Sequence, residues 1–209
     1  MATVFMQWLE TSPKKYDLGI KLLTLGHLRR VKEEIVNRYI QPGMRILEIG
    51  CGTGTLAVMM AQKGALIEGV DNNAAMLSEA YEKIAARGLE ESIHLSKLDA
   101  SEIGDHFPVA SFDLVISTLV LSELDDNQQA YLLEQSKKLL KPDGRIIIAD
   151  EVVPEKSLSR LLFYIIRLPI ALLTWFLTRT STSPLRKREI QSNEAGLSTR
   201  QVFDALLGS

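Results

Sequence analysis

At 209 residues, 46% of them hydrophobic, the chain suits one domain with a substantial core. A formal net charge of −2 gives no overall basic character for nucleic acid, and a single cysteine, Cys51, excludes an intramolecular disulfide. No N-terminal stretch combines a basic start, an apolar core and a small-residue cleavage site, so a cytoplasmic location is expected.

Thr11-Ser12-Pro13 reads as a helix start, with Ser12 as cap and Pro13 at the first helical position. One or two helices are predicted from there to Ile40, broken near Gly26, with Leu18, Leu22, Leu25, Leu28, Val31, Ile35 and Ile40 on an apolar face. Pro42-Gly43 turns the chain into a first strand over 46–49, followed by Gly50, Gly52 and Gly54 and a helix over 55–62. A second strand is predicted over 66–70, ending at Asp71. A helix over 74–86 follows and stops at Arg87-Gly88. A third strand over 92–98 is followed by Asp99. The fourth, 112–118, is a continuous apolar run of the kind covered on both faces. A helix over 127–140, a turn at Lys141-Pro142-Asp143-Gly144 and a fifth strand over 145–149 complete the pattern.

Strands alternating with helices make this an α/β chain with a Rossmann-like doubly wound sheet. Right-handed crossovers give the order 3-2-1-4-5, with the switch point between strands one and four. The division expected is a helical cap over 1–41, a ligand-binding core over 42–153 and a helical cover over 154–209.

The glycine loop is where another molecule is expected to meet the backbone, because glycine takes positive φ freely and carries no Cβ. A dinucleotide fold wants G-x-G-x-x-G, to seat a pyrophosphate on the helix N-terminus. Here Thr55 occupies the third position of that pattern, and Glu48 lies two residues before the first glycine. A carboxylate there repels pyrophosphate and suits a ligand with an ammonium and a sulfonium, which favours S-adenosylmethionine over NAD. Asp71, at the end of strand two, is placed to accept bonds from ribose hydroxyls; it also suits a helix cap. Residues 117–123 face the glycine loop across one crevice.

Leu47-Glu48-Ile49-Gly50-Cys51-Gly52-Thr53-Gly54 resembles motif I of class I S-adenosylmethionine-dependent methyltransferases. Gly69-Val70-Asp71-Asn72-Asn73, Leu98-Asp99-Ala100, Ser111-Phe112-Asp113-Leu114-Val115-Ile116-Ser117 and Leu139-Leu140-Lys141-Pro142-Asp143-Gly144-Arg145 resemble the later motifs, in order. The resemblance implies a cofactor site at Glu48, Gly50, Gly52, Gly54, Asp71, Asn72, Asp99, Ala100 and Ser117. Asp99 would receive the adenine amino group and the Ala100 N–H a ring nitrogen. It also implies that N-terminal helices cover the site, with Tyr16-Asp17 similar to a Tyr-Asp pair of quinone-biosynthesis methyltransferases. Phe5-Met6, Leu9-Glu10-Thr11-Ser12-Pro13, Ala149-Asp150-Glu151-Val152-Val153-Pro154 and Arg167-Leu168-Pro169 resemble small methyltransferases associated with corrinoid proteins. A ring-carbon acceptor and a corrinoid-protein partner therefore compete.

Methyl transfer from a sulfonium expels a neutral leaving group, so a base is needed only for a protonated acceptor. Glu123, His27 and Tyr16 are the candidate bases near the crevice, and no catalytic residue is assigned. His94 and His106 have no metal-ligand spacing with each other or with Cys51, so no metal site is expected.

Residues 161–177 are nearly all apolar, interrupted by Arg167 and Pro169, and fall short of the ~20 clean residues of a spanning helix. Residues 154–190 carry seven bases and two acids, a net of +5 against −7 for the rest. The segment 158–178 suits either a substrate-cover helix pair over a lipophilic acceptor or a helix lying in a membrane surface. Residues 198–207 resemble the helix before the family's terminal β-hairpin, and the sequence stops at Ser209. The expectation is either a truncated chain or five strands with an exposed edge that a partner or second copy covers. A non-catalytic subunit that keeps the cofactor pocket and docks a partner is the alternative function.

Overall fold

The structure is a computed structural model that describes residues 13–23 and 26–150. Ser12, Leu25, the segment 158–178 and the C-terminal helix and hairpin question lie outside the described residues, as does the side chain of Leu22.

The elements run α1 (Pro13–Leu23), α2 (His27–Tyr39), β1 (Arg45–Ile49), α3 (Thr55–Gln62), β2 (Leu66–Asp71), α4 (Ala74–Ala85), β3 (Ile93–Lys97), α5 (Ile103–His106), β4 (Phe112–Thr118), a one-turn helix (Leu121–Glu123), α6 (Asp126–Leu139) and β5 (Leu140–Ala149). The five strands form one parallel sheet in the order β3-β2-β1-β4-β5, the order expected from the sequence. The helical break falls at Gly26, whose φ of 79° is left-handed.

Alternation along β1 divides the core. Ile46 packs with Ile67, Leu114 and Ile116 under α2, α3 and α4, whereas Leu47 and Ile49 pack with Val115, Ile103 and Leu132 on the other side. Both faces are covered, which is why the strands read as apolar runs. Replacing Ile46, fully buried, by Ala is expected to cost about 2–5 kcal/mol, read as a lower thermal or urea midpoint.

Three local differences from the sequence reading have physical causes. Strand five begins at Leu140 rather than at residue 145: Leu140 pairs with Phe112 and Arg145 with Leu114, so residues 141–144 bulge opposite Asp113. Asp113 secures that bulge by accepting from Lys141 Nζ at 2.7 Å and from the Arg45 N–H at 2.8 Å. The cap of α4 is Asn73, whose Oδ1 accepts from Ala75 N at 2.9 Å and Met76 N at 3.3 Å; Asp71 holds the Asn73 N–H instead. Helix α5, four residues long, is too short to announce itself by periodicity. Among the described residues no helix is long and apolar enough to cross a membrane.

The N-terminal helices reach the mouth of the sheet. Ile20 and Leu28 are buried against each other, with Tyr16 and Leu119 packed on them. Leu119, just past β4, has φ 62°. A non-glycine residue in that region costs of order 1 kcal/mol or more and is held there by its surroundings.

Candidate functional site

Glu48 is the last polar residue of β1 and only 1% exposed. It shares the face of Ile46, under α2 and α3. One carboxyl oxygen accepts from the Ala57 N–H in the first turn of α3, where Gly54 provides no side-chain cap. The other, Oε2, is buried with no hydrogen-bond partner. Burial pushes its pKa up to about 8; Lys32 of α2 pulls against that and Asp71 adds to it. Burial in turn lowers the Lys32 amine, opposed by Glu48. A buried polar atom left without a partner is uncommon, and it marks the place where a positively charged group would be stabilised.

The glycine loop folds back onto β2. Gly50, Gly52 and Gly54 have φ of 72°, 54° and 68°. The N–H groups of Gly50 and Cys51 both donate to Val70 O, at 2.8 and 3.0 Å, and that of Gly54 to Cys51 O at 2.9 Å. Gly52 N donates to Asp71 Oδ2 at 2.8 Å, while Asp71 Oδ1 accepts from Asn73 N at 2.9 Å. These four loop amides are thus directed into the protein rather than at a ligand. A phosphate cradle needs the opposite arrangement. Gly50 has a further reason to be glycine: a Cβ there would collide with Val120 Cγ2, so the loop after β4 packs directly on the glycine loop.

Carboxylates ring the same edge. Asp71 follows Val70; burial raises its pKa against the two amides that it holds. Asp99, exposed, accepts from Ser101 N at 2.9 Å and Ser101 Oγ at 2.7 Å. These bonds hold its carboxyl below the usual range despite some burial, with help from the Asn72 side chain. Asn72 and Asp99, predicted separately, therefore meet, and the half-buried Ala100 follows directly. Ser117 is 2% exposed at the end of β4, opposite Ile49 in register, with Oγ buried and unpartnered. Asp150, 1% exposed, accepts from Ser122 N at 3.1 Å.

Of the candidate bases, His27 is an exposed first residue of α2, and Glu123 is exposed in the one-turn helix. Tyr16 is half-buried against the Ile20–Leu28–Leu119 cluster. Asp17 binds the glycine loop: Thr53 Oγ donates to its Oδ1 at 2.8 Å, and Lys83 Nζ lies 2.7 Å from its Oδ2. Lys83 and Lys32 carry no signal legible in the sequence. Each is one lysine on an amphipathic helix, and nothing in its spacing marks it. Among the described residues no three His, Cys, Asp or Glu side chains converge to hold a metal ion.

The arrangement is an acidic crevice at a topological switch point, with its loop amides already engaged. It can hold a compact cation better than a polyanion.

A family model described as a methyltransferase domain matches residues 40–176. The chain is 31% identical over 157 residues to the demethylmenaquinone methyltransferase of Thermus thermophilus, covering 74% of this chain and 68% of that one. It is 33% identical over 149 residues to the ubiquinone/menaquinone biosynthesis C-methyltransferase of Xanthomonas oryzae pv. oryzae, covering 68% and 57%. Among solved structures, the cyclase SpnF is similar at a TM-score of 0.56 with 25% identity, over 61% of this chain and 46% of that one. The chain thus spans about half the length of some relatives it matches, as with a Haemophilus influenzae protein of which it covers 53%.

Proposed function

Because this chain belongs to the class I S-adenosylmethionine-dependent methyltransferases, we propose that it transfers a methyl group in line from S-adenosylmethionine to a small, lipophilic acceptor. The observation that carries the reading is the buried, unpartnered oxygen of Glu48 beside a glycine loop whose amides are turned inward. These residues fit a ligand with a positively charged end and do not fit a pyrophosphate. When bound, S-adenosylmethionine supplies a methyl group on a sulfonium that leaves as a neutral thioether.

On this reading Glu48 faces the positive end of the donor and Asp71 takes the ribose hydroxyls with its remaining lone pairs. Asp99, steadied by Ser101 and Asn72, and the Ala100 N–H read adenine. Gly50, Gly52 and Gly54 keep the loop low enough for contact, and Ser117 lies where donor and acceptor meet. The chain's part in the rate is positioning, worth up to ~7–11 kcal/mol in favourable cases, and exclusion of water. Helices α1 and α2, reaching Leu119, serve the latter.

The quinone-pathway relatives favour a quinone-like acceptor, methylated on a ring carbon. A corrinoid protein is the competing acceptor or partner. The test is methyl-labelled donor added to cell extract with the purified chain. A lipid-soluble labelled product is expected; labelled corrinoid or protein would move the proposal to the other branch. Segment 158–178 is proposed to meet a membrane surface or cover the acceptor, and liposome co-sedimentation with and without salt separates these. A second copy on β5, the last strand of the sheet among the described residues, is also proposed, and sedimentation velocity tests for the dimer.

A second reading, in which the fold binds the donor without transferring its methyl, is favoured by one observation: a cyclase shares this architecture, and fold does not dictate chemistry. Calorimetric donor binding with no label in any extract component would support it.

A further inference from the structure

Helix α1 crosses the crevice and is fastened on both sides of it. Toward β4 the fastening is apolar, Tyr16 and Ile20 packing with Leu28 and Leu119. Toward α4 it is polar and closed on itself. Lys83 Nζ donates to Asp17 Oδ2 at 2.7 Å, to Thr55 Oγ at 2.8 Å and to Thr53 Oγ at 3.0 Å. An ammonium has three donors, and all three are used. Thr53 Oγ donates to Asp17 Oδ1 at 2.8 Å, and Thr55 Oγ lies 3.2 and 3.1 Å from the two Asp17 oxygens. Each hydroxyl thus accepts from the lysine and can donate to the aspartate.

The ring is more than a surface ion pair. Thr53 is 3% exposed and the Lys83 side chain 14%, so water competes weakly for most of it, although Asp17 is 47% exposed. Thr53 and Thr55 flank Gly54 of the glycine loop. Asp17 and Lys83 stand 66 residues apart and touch only because α1 lies over that loop. Releasing α1 therefore leaves two loop hydroxyls and a half-buried ammonium with fewer partners. Strap and loop are coupled by the same bonds.

We infer that Asp17 and Lys83 are positioning residues that hold α1 across the glycine loop and so set the rate at which donor and product exchange. The inference rests on the proposed function, since the exchanging molecule is the sulfonium donor or its thioether product.

The test uses the full chain and the variants Lys83→Met, Asp17→Asn and both together. Association and dissociation rates of S-adenosylhomocysteine are measured by surface plasmon resonance at low and high salt, alongside thermal midpoints and amide hydrogen exchange. Either single variant is expected to dissociate the product about 5- to 20-fold faster, as loss of charge-assisted bonds allows. Association should also quicken, and the double variant should add little. Dissociation from the wild type should speed up with salt, because a partly exposed ion pair is screened, and that salt effect should vanish in the variants. Amides of residues 13–23 should exchange faster in the variants while those of α2 do not. Rates unchanged within about twofold with only a lower thermal midpoint would reduce the ring to a structural contact and overturn the inference. If the wild type binds neither donor nor product, the proposed function fails. Amide exchange then still decides whether the ring holds α1, and unaltered exchange in the variants overturns it.

Discussion

Asp71→Ala is expected to weaken S-adenosylhomocysteine binding by about 100-fold or more while leaving a folded protein. The carboxylate offers roughly four acceptor positions. Two are used inside the chain, by Gly52 N at 2.8 Å and Asn73 N at 2.9 Å, which leaves two for a ribose diol. Each charge-assisted bond contributes ~1.5–3 kcal/mol, so losing two costs about 3 kcal/mol at the low end, or two decades in Kd. The substitution also frees the Gly52 amide, and the loop loses its tie to the end of β2. Asp71→Asn should fall between the two, because one oxygen remains for Gly52 but the charge is gone. Calorimetry gives both values, and circular dichroism checks the fold. A Kd within threefold of the wild type for Asp71→Ala would remove Asp71 from the site.

Donor affinity is expected to rise with pH up to about 8 and then level off, with Glu48→Gln abolishing the dependence. Burial holds the Glu48 carboxyl protonated below about 8 in the free chain, with Lys32, Asp71 and the Ala57 N–H modulating it. A cationic ligand beside it stabilises the ionised form, so binding at neutral pH releases a proton. Titration in buffers of different ionisation enthalpy counts that proton, and the log of Kd should fall by up to about one per pH unit below the plateau. S-adenosylhomocysteine lacks the sulfonium charge, so its proton release should be smaller.

The same group governs stability with the opposite sign. Between the unfolded value of 4.5 and about 8 the native chain binds the extra proton, so stability falls as pH rises through that window. The fall is bounded by about 5 kcal/mol and reduced by the facing Lys32 charge. Glu48→Gln should therefore be more stable than the wild type at pH 8 yet bind the donor less well, about tenfold. A pH-independent Kd in the wild type, with no proton released, would show that Glu48 does not sense the ligand's charge.

The topology is legible because each strand's amino-acid pattern answers to burial on both faces, a local property repeated at regular spacing. The glycine loop and Asp71 were legible for a similar reason: positive φ and a strand-end carboxylate are requirements of single positions. Strand five starts earlier than its residues suggest because the bulge opposite Asp113 depends on the neighbouring strand.

What the sequence by itself determined is the order of elements, the sheet and the position of the acids along its edge. Only the tertiary structure decided what comes together there: Lys83 bonded to Asp17, the Lys32 charge near Glu48, and the Val120 side chain against the Gly50 backbone. Those contacts depend on how helices and loops remote in sequence are placed and rotated against the sheet. Periodicity states which face of a helix is buried, but not which residue of a distant element that face will touch.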